Sequence, residues 1–194
     1  LNYGDMKERI QEYSLYSIDN RHMSPIIANN SLLECLLLAT GNREYSRESR
    51  INVTAKERVL MKYRQRLSKE VDAMAYTQEI YDTLLRGIDN QIADYNIPLT
   101  YKLHSHGLEE FFKIHLYSFV VFPKKASSDA DDFQLEIPNY QVAHLKTLYS
   151  ERPSVIIISF PNEPTKYSFV STTSDQKIFP GLTRYLHNVF TMVY

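Results

Sequence analysis

A seven-residue repeat of apolar side chains runs through the middle of the chain and constrains its fold more than any other feature. The repeat begins behind Thr54-Ala55-Lys56-Glu57, a pattern typical of a capping box at a helix N-terminus. It ends before Pro98, which disfavours helical conformation at the residue preceding it. The repeat and the positions four residues after it predict one apolar seam along a helix. Its members are Leu60, Leu67, Val71, Met74, Tyr81, Leu85, Ile88, Ile92 and Tyr95.

A seam of this kind is typical of a coiled coil. As one unbroken helix, the region from 54 to 95 would measure roughly 60 Å. Gly87 costs up to about 1 kcal/mol inside a helix and marks a place for a kink or a break. Two interpretations therefore stay open. The seam binds other protein subunits in a homo- or hetero-oligomer, or two helices fold back at Gly87 inside one compact domain.

The segments on either side of the repeat differ in character. Residues 1–53 predict short helical pieces, of which an almost wholly apolar helix behind Ser31, ended by Gly41, is the clearest. From residue 98 onward the pattern changes to strands with intervening helices. Strand patterns lie at 113–122, 133–137, 155–158 and 167–170, and helical patterns follow Pro138 and Gly181.

These patterns predict an α+β fold in three parts. A helical segment covers 1–53, the heptad helix covers 54–97, and a small mixed α+β domain covers 98–194. The last part is long enough for its own core, so we expect it to fold alone.

The composition excludes several classes of cofactor site. The two closest of the five glycines are 20 residues apart, so no glycine-rich phosphate-binding loop is present. The single cysteine, Cys35, excludes an intrachain disulfide and a multi-cysteine metal site. Cys35 lies within a run of leucines, which predicts a core position rather than a nucleophile. We expect no cofactor, no membrane partner and an intracellular protein, nuclear or cytoplasmic.

His104 and His106 form the best metal-binding pattern in the chain. On a strand they would project from the same face, with a following glutamate such as Glu109 as third ligand or base. This H-x-H resembles half of the signature of the JAMM-type metal-dependent isopeptidases. That family needs a serine and an aspartate downstream, where this chain has Ile114 and Tyr117. We predict no metal here, and the alternative function is a hydrolase or pseudo-enzyme of isopeptidase type with a degenerate site.

Charge is distributed unevenly, although the net charge is only -1. Nine basic residues stand against four acidic ones in 43–70, and seven acidic residues stand against two basic ones in 72–110. A solvated helix face is the favoured interpretation of this distribution. An antiparallel partner helix with the opposite charge gradient is the second interpretation, and contact of the basic segment with nucleic acid phosphates is the least favoured.

Fifteen tyrosines and nine phenylalanines suit large contact areas between proteins. Together with the heptads and the missing catalytic motifs, they predict a non-enzymatic interaction or scaffold subunit of a larger assembly. A coiled helix leading into a small α+β domain is similar to the layout of several kinetochore and chromosome-associated subunits. That resemblance implies a eukaryotic, chromosome-associated setting.

Overall fold

The predicted α+β fold is confirmed. The computed structural model of the chain describes residues 14–16, 28–48, 51–73, 88–122, 132–136, 151–171 and 177–179. Within these ranges, helices dominate the N-terminal half and a mixed sheet follows. No helix within them is long and apolar enough to cross a membrane.

The helices are α1 (Ser31–Ala39), α2 (Arg43–Glu48), α3 (Val53–Ala73), α4 (Ile88–Ala93) and α5 (Tyr101–Phe112), and a 3-10 turn (Ala28–Asn30) precedes α1. The strands are β1 (Ser14–Tyr16), β2 (His115–Phe122), β3 (Asp132–Leu135), β4 (Ser154–Phe160) and β5 (Glu163–Ser171). The helices expected after Pro138 and Gly181 lie outside the described residues.

Helix α1 is buried along nearly its whole length, as its apolar sequence predicts. The helix begins at Ser31, whose hydroxyl does not cap it. Instead, this hydroxyl accepts a hydrogen bond from the Tyr167 amide (2.8 Å) and donates one to the Tyr167 carbonyl (3.1 Å). Gly41 follows the helix in the left-handed region (φ 66°), which glycine adopts without steric cost. Ser31 therefore fixes the start of α1 to strand β5.

Asparagines, rather than the expected capping box, begin the next two helices. The Asn52 side-chain oxygen accepts from the Ala55 amide at 2.8 Å, so Thr54 is already inside α3. Asn42 caps α2 in the same way through the Tyr45 amide at 2.9 Å. Asparagine is as good an N-cap as serine or threonine, and it stands two residues ahead of Thr54. The capping-box prediction was wrong by that offset.

The five described strands form one sheet in the order β1-β5-β4-β2-β3. Strands β2 and β4 are parallel, and the other neighbours are antiparallel. Strand β1 belongs to a segment for which only helices were expected. Its three residues pair with β5 from Ser14↔Ser171 to Tyr16↔Phe169. The N-terminal segment is therefore built into the C-terminal sheet.

The central strands β2 and β4 are buried on both faces of the sheet. Side chains alternate along a strand, so Leu116 and Tyr117 of β2 belong to two different core clusters. The cluster containing Leu116 also contains apolar side chains from all five helices. The cluster on the opposite face includes Tyr117, Phe119, Ile156, Ile158 and Phe179.

Helices α3 and α4 lie side by side. The Arg64 Nε atom of α3 donates to the Ile92 carbonyl of α4 at 2.7 Å. In one straight helix, 28 residues would separate these positions by roughly 42 Å. Ile92 therefore lies back alongside Arg64, in keeping with the fold-back alternative, although Gly87 lies outside the described residues.

The core crosses the expected boundary between residues 97 and 98. Leu60 and Ile92 belong to the same buried cluster as Leu116, Val155 and Tyr167. The three-part division stays a prediction, and this packing favours the compact alternative.

The compact alternative predicts that the fragment 98–194 fails to fold alone. Without α1 and α3 it would expose the sheet face that contains Leu116 and Tyr167, and a large exposed apolar face promotes aggregation. Its solubility, thermal transition and mass by light scattering measure this directly. A soluble monomer with a cooperative transition would instead support the three-part division.

The seam position Leu67 is 1% exposed. We expect Leu67→Asp to lower the free energy of unfolding by about 3–5 kcal/mol, because it buries an unpaired charge. Gln65→Asp adds the same charge at an exposed position of the same helix and should change it by less than about 0.5 kcal/mol. Denaturant unfolding compares the two. Equal midpoints would show that Leu67 does not contribute to the core.

Candidate functional site

The described part of the predicted seam packs into the chain's own core. Leu60, Leu67 and Ile92 are buried, and Tyr95 packs against the same cluster after the end of α4. Val71 and Ile88 lie within α3 and α4, but their side chains are outside the described structure. Met74, Tyr81 and Leu85 lie outside the described residues altogether. The surface that α3 offers to a partner is therefore its opposite side.

The exposed residues of that side recur at helical spacing, and we call them the outer face of α3. They are Thr54, Arg58, Met61, Lys62, Gln65, Arg66 and Lys69. A groove of about 440 Å³ runs along it, and its lining residues, which include Thr54, Met61 and Gln65, all belong to α3. A groove on one helix does not enclose a small molecule, so its shape favours an extended or helical partner.

Exposed apolar side chains lie on the outer face of α3 and near its start. Met61 is 47% exposed in the middle of the outer face, and Ile51 and Val53 are 60% and 39% exposed at the start of α3. Methionine adapts its shape to different partners and is frequent at binding surfaces. Met61 therefore gives the outer face an apolar component that a purely solvated helix lacks, and Ile51 and Val53 add exposed apolar surface near the start of the helix.

The structure divides the basic residues of 43–70 between surface and interior. Lys56 and Arg64 are fully buried and bind groups inside the protein. Arg58, Lys62 and Lys69 are exposed on the outer face. A count of basic residues in the sequence treats all nine as surface cations. The structure shows that two of the nine, Lys56 and Arg64, are buried and cannot bind a partner.

Comparison with family models and with curated proteins finds no match for this chain.

A buried ion pair holds the inner side of α3 against α1. The Lys56 Nζ atom lies 2.8 Å from Glu34 Oε2, and both side chains are 0% exposed. The Tyr45 hydroxyl donates to the same carboxylate oxygen at 3.0 Å. Burial, followed by the charge of Glu34, raises the pKa of Tyr45 far above its usual value, so this hydroxyl stays protonated as a donor. The residues join α1, α2 and α3 through one carboxylate.

Arg64, two turns further along α3, binds the C-terminal end of α4. Its guanidinium donates to the carbonyls of Ile92 (2.7 Å), Gln91 (3.0 Å), Asp94 (2.6 Å) and Ile97 (2.8 Å). The C-terminal carbonyls of a helix carry partial negative charge, so they suit a cation. Burial lowers the pKa of Arg64 to about 10, which leaves it protonated at neutral pH.

His104 and His106 lie on helix α5, not on a strand. Residues two apart on a helix point about 200° away from each other, so the shared face expected for the pair does not form. Glu109 is buried, and its Oε1 accepts from the Leu116 amide at 2.6 Å. Among the described residues, no group of three or more potential ligands can hold a metal ion. Tyr101, Leu108 and Phe112 are spaced by seven and four residues, and this helical spacing was the missed signal for a helix.

His104 is instead a buried side chain near the start of α5. Its Nδ1 accepts from the Thr100 amide at 2.9 Å, and burial lowers the pKa to about 4, so the ring is neutral at pH 7. Its buried Nε2 has no hydrogen-bond partner within the described structure. Cys35 is also buried, which raises its thiol pKa, in keeping with the expected core position.

We expect Arg64→Lys to destabilise the protein by about 2–4 kcal/mol. Lysine has three donors and no planar fork, so several buried carbonyls would lose their partner. Arg58→Lys makes the same exchange on the exposed side of α3 and should be nearly neutral. Denaturant unfolding measures both. Unfolding of the two variants at the same concentration would contradict the anchoring role of Arg64.

Proposed function

We propose that the chain is a non-enzymatic interaction subunit of a larger intracellular assembly, and that it binds an acidic amphipathic segment of a partner protein through the outer face of α3. The observation that carries this proposal is the exposed Met61 in a row of exposed cations. Met61 offers an apolar contact, and Arg58 and Lys62 lie three residues before it and one after it. An acidic segment with apolar side chains at helical spacing complements both features.

The positive charge of the outer face supports an acidic partner. The exposed cations of the outer face are Arg58, Lys62, Arg66 and Lys69. Glu70 is exposed at its end, and the half-buried Glu57 lines the groove together with Arg58 and Lys62. Lys62 already pairs with Glu44, at 2.7 Å, while 53% of its side chain stays exposed. A carboxylate of the same kind supplied by a partner would be favourable along this row.

Rigidity of the helix supports binding as well. The inner side of α3 is fixed by the buried Lys56–Glu34 pair and by the Arg64 hydrogen bonds. Binding of a partner therefore costs no conformational entropy for ordering α3, because the helix is already formed.

In the C-terminal half, Phe122 is 40% exposed at the end of β2 and is our candidate for a second contact with the partner.

The test uses a labelled helical peptide of 21 residues, the length of α3. It carries leucine at heptad seam positions and glutamate elsewhere, and a matched peptide carries lysine in place of glutamate. We expect fluorescence anisotropy to show binding of the acidic peptide and none of the basic one. Met61→Asp should weaken binding by about tenfold, because it places a carboxylate at the apolar contact.

Asn162→Asp is the matched control, since it adds one negative charge at an exposed position of the turn between β4 and β5. It should leave the affinity unchanged. No binding of the acidic peptide, or equal binding of both peptides, would refute the proposal. Sedimentation of the chain alone tests one alternative, self-association through the outer face. If the chain self-associates and Met61→Asp abolishes this, the outer face binds a second copy of the chain and the proposal is wrong.

A further inference from the structure

Arg66 differs from the other cations of the outer face because two aromatic rings hold its guanidinium. The Arg66 Cζ atom lies 5.3 Å from the centroid of the Tyr63 ring and 5.3 Å from that of Phe111. Tyr63 precedes Arg66 by three residues on α3, and Phe111 belongs to α5. The rings attract the cation through their faces, and they restrict its position at the junction of the two helices.

The rings themselves are held in place. Tyr63 is buried, and its hydroxyl accepts from the Asn42 side-chain amide at 2.5 Å. The Tyr63 and Phe111 rings meet edge to face with centroids 6.2 Å apart, and Phe112 packs on Phe111 at 5.0 Å. A guanidinium on such a support loses less rotational freedom on binding than a free side chain does.

The hydrogen-bonding groups of Arg66 are available to a partner. Arg66 is exposed, and no carboxylate within the described structure lies within ion-pair distance of it, in contrast to Lys62 beside Glu44. A guanidinium binds a carboxylate through two parallel hydrogen bonds, whereas an ammonium acts as a point charge. Lys62 and Lys69 stand one turn before and after Arg66 and add to the local positive potential.

We propose that Arg66 is the specificity-determining residue of the outer face, and that it binds a carboxylate of the acidic partner segment in bidentate fashion. This inference rests on the proposed function and adds the position at which the partner must present its acidic side chain. Because Arg66 lies beside α5, that position is where α3 meets α5.

The experiment compares two charge-conserving substitutions with the acidic peptide as the probe. Arg66→Lys keeps the charge and removes the fork, so we expect the affinity to fall about tenfold. Arg58→Lys makes the same exchange on the same face, where no ring contact to the arginine is described, and should change the affinity less than about threefold. Phe111→Leu removes one ring while retaining Arg66, and it should weaken binding in the same direction as Arg66→Lys.

The thermal transition of each variant separates binding from folding. Arg66→Lys lies on the surface and should keep the wild-type transition, so its loss of affinity reports on recognition rather than on the packing of α5. Equal losses for Arg66→Lys and Arg58→Lys would overturn the special role of Arg66 while leaving the proposed function intact. Failure of the wild-type chain to bind the acidic peptide would overturn both. A single-stranded oligouridylate that displaces the bound peptide at lower concentration than the unlabelled peptide does would identify nucleic acid as the ligand and likewise overturn both.

Discussion

The buried guanidinium of Arg64 is the interaction on which the placement of the middle of the chain depends. Most of the stability of a helix such as α4 comes from its tertiary contacts rather than from the helix itself. Arg64 satisfies carbonyls at its C-terminal end and in the residues that follow, up to Ile97. Residues 98–100 then lead directly into α5. Burying a charge is costly unless it is fully hydrogen-bonded, and here the compensation comes from backbone oxygens and the Asn30 side-chain oxygen rather than from a carboxylate.

Helix α3 carries cations on two opposite sides: those on the inner side bind groups inside the protein, and those on the outer side are exposed to solvent. Lys56 and Arg64 point inward, where Glu34 and the end of α4 neutralise them. Arg58 and Lys62 point outward into solvent. An inner side held by directional polar bonds cannot rotate about the helix axis as a purely apolar stripe can. The buried pairs thus determine which residues α3 presents to a partner.

The features that sequence could predict are those with a local cause. The buried α1, its end at Gly41 and the strands around Leu116 and Ile157 follow from apolar runs and turn residues. The strand at 14–16 could not be predicted, because three residues carry no periodicity and pair with residues far along the chain. The burial of Lys56 and Arg64 was missed for a similar reason. Their partners, Glu34 and residues 91–97, are distant in sequence, and a charge count places every cation at the surface.

The pairing of β1 with β5 has a consequence for synthesis. Leu15 and Val170 are about 155 residues apart, a stretch that takes roughly 8–30 s to translate at about 5–20 residues per second. Helix α1 lacks its contact with β5 for nearly as long, because Ser31 and its partner Tyr167 are 136 residues apart and meet only when β5 has left the ribosome. Throughout that interval the apolar surface of α1 has no sheet to cover it. A nascent chain of this design therefore depends on a chaperone, or on rapid local packing against α2 and α3, to avoid aggregating before it is complete.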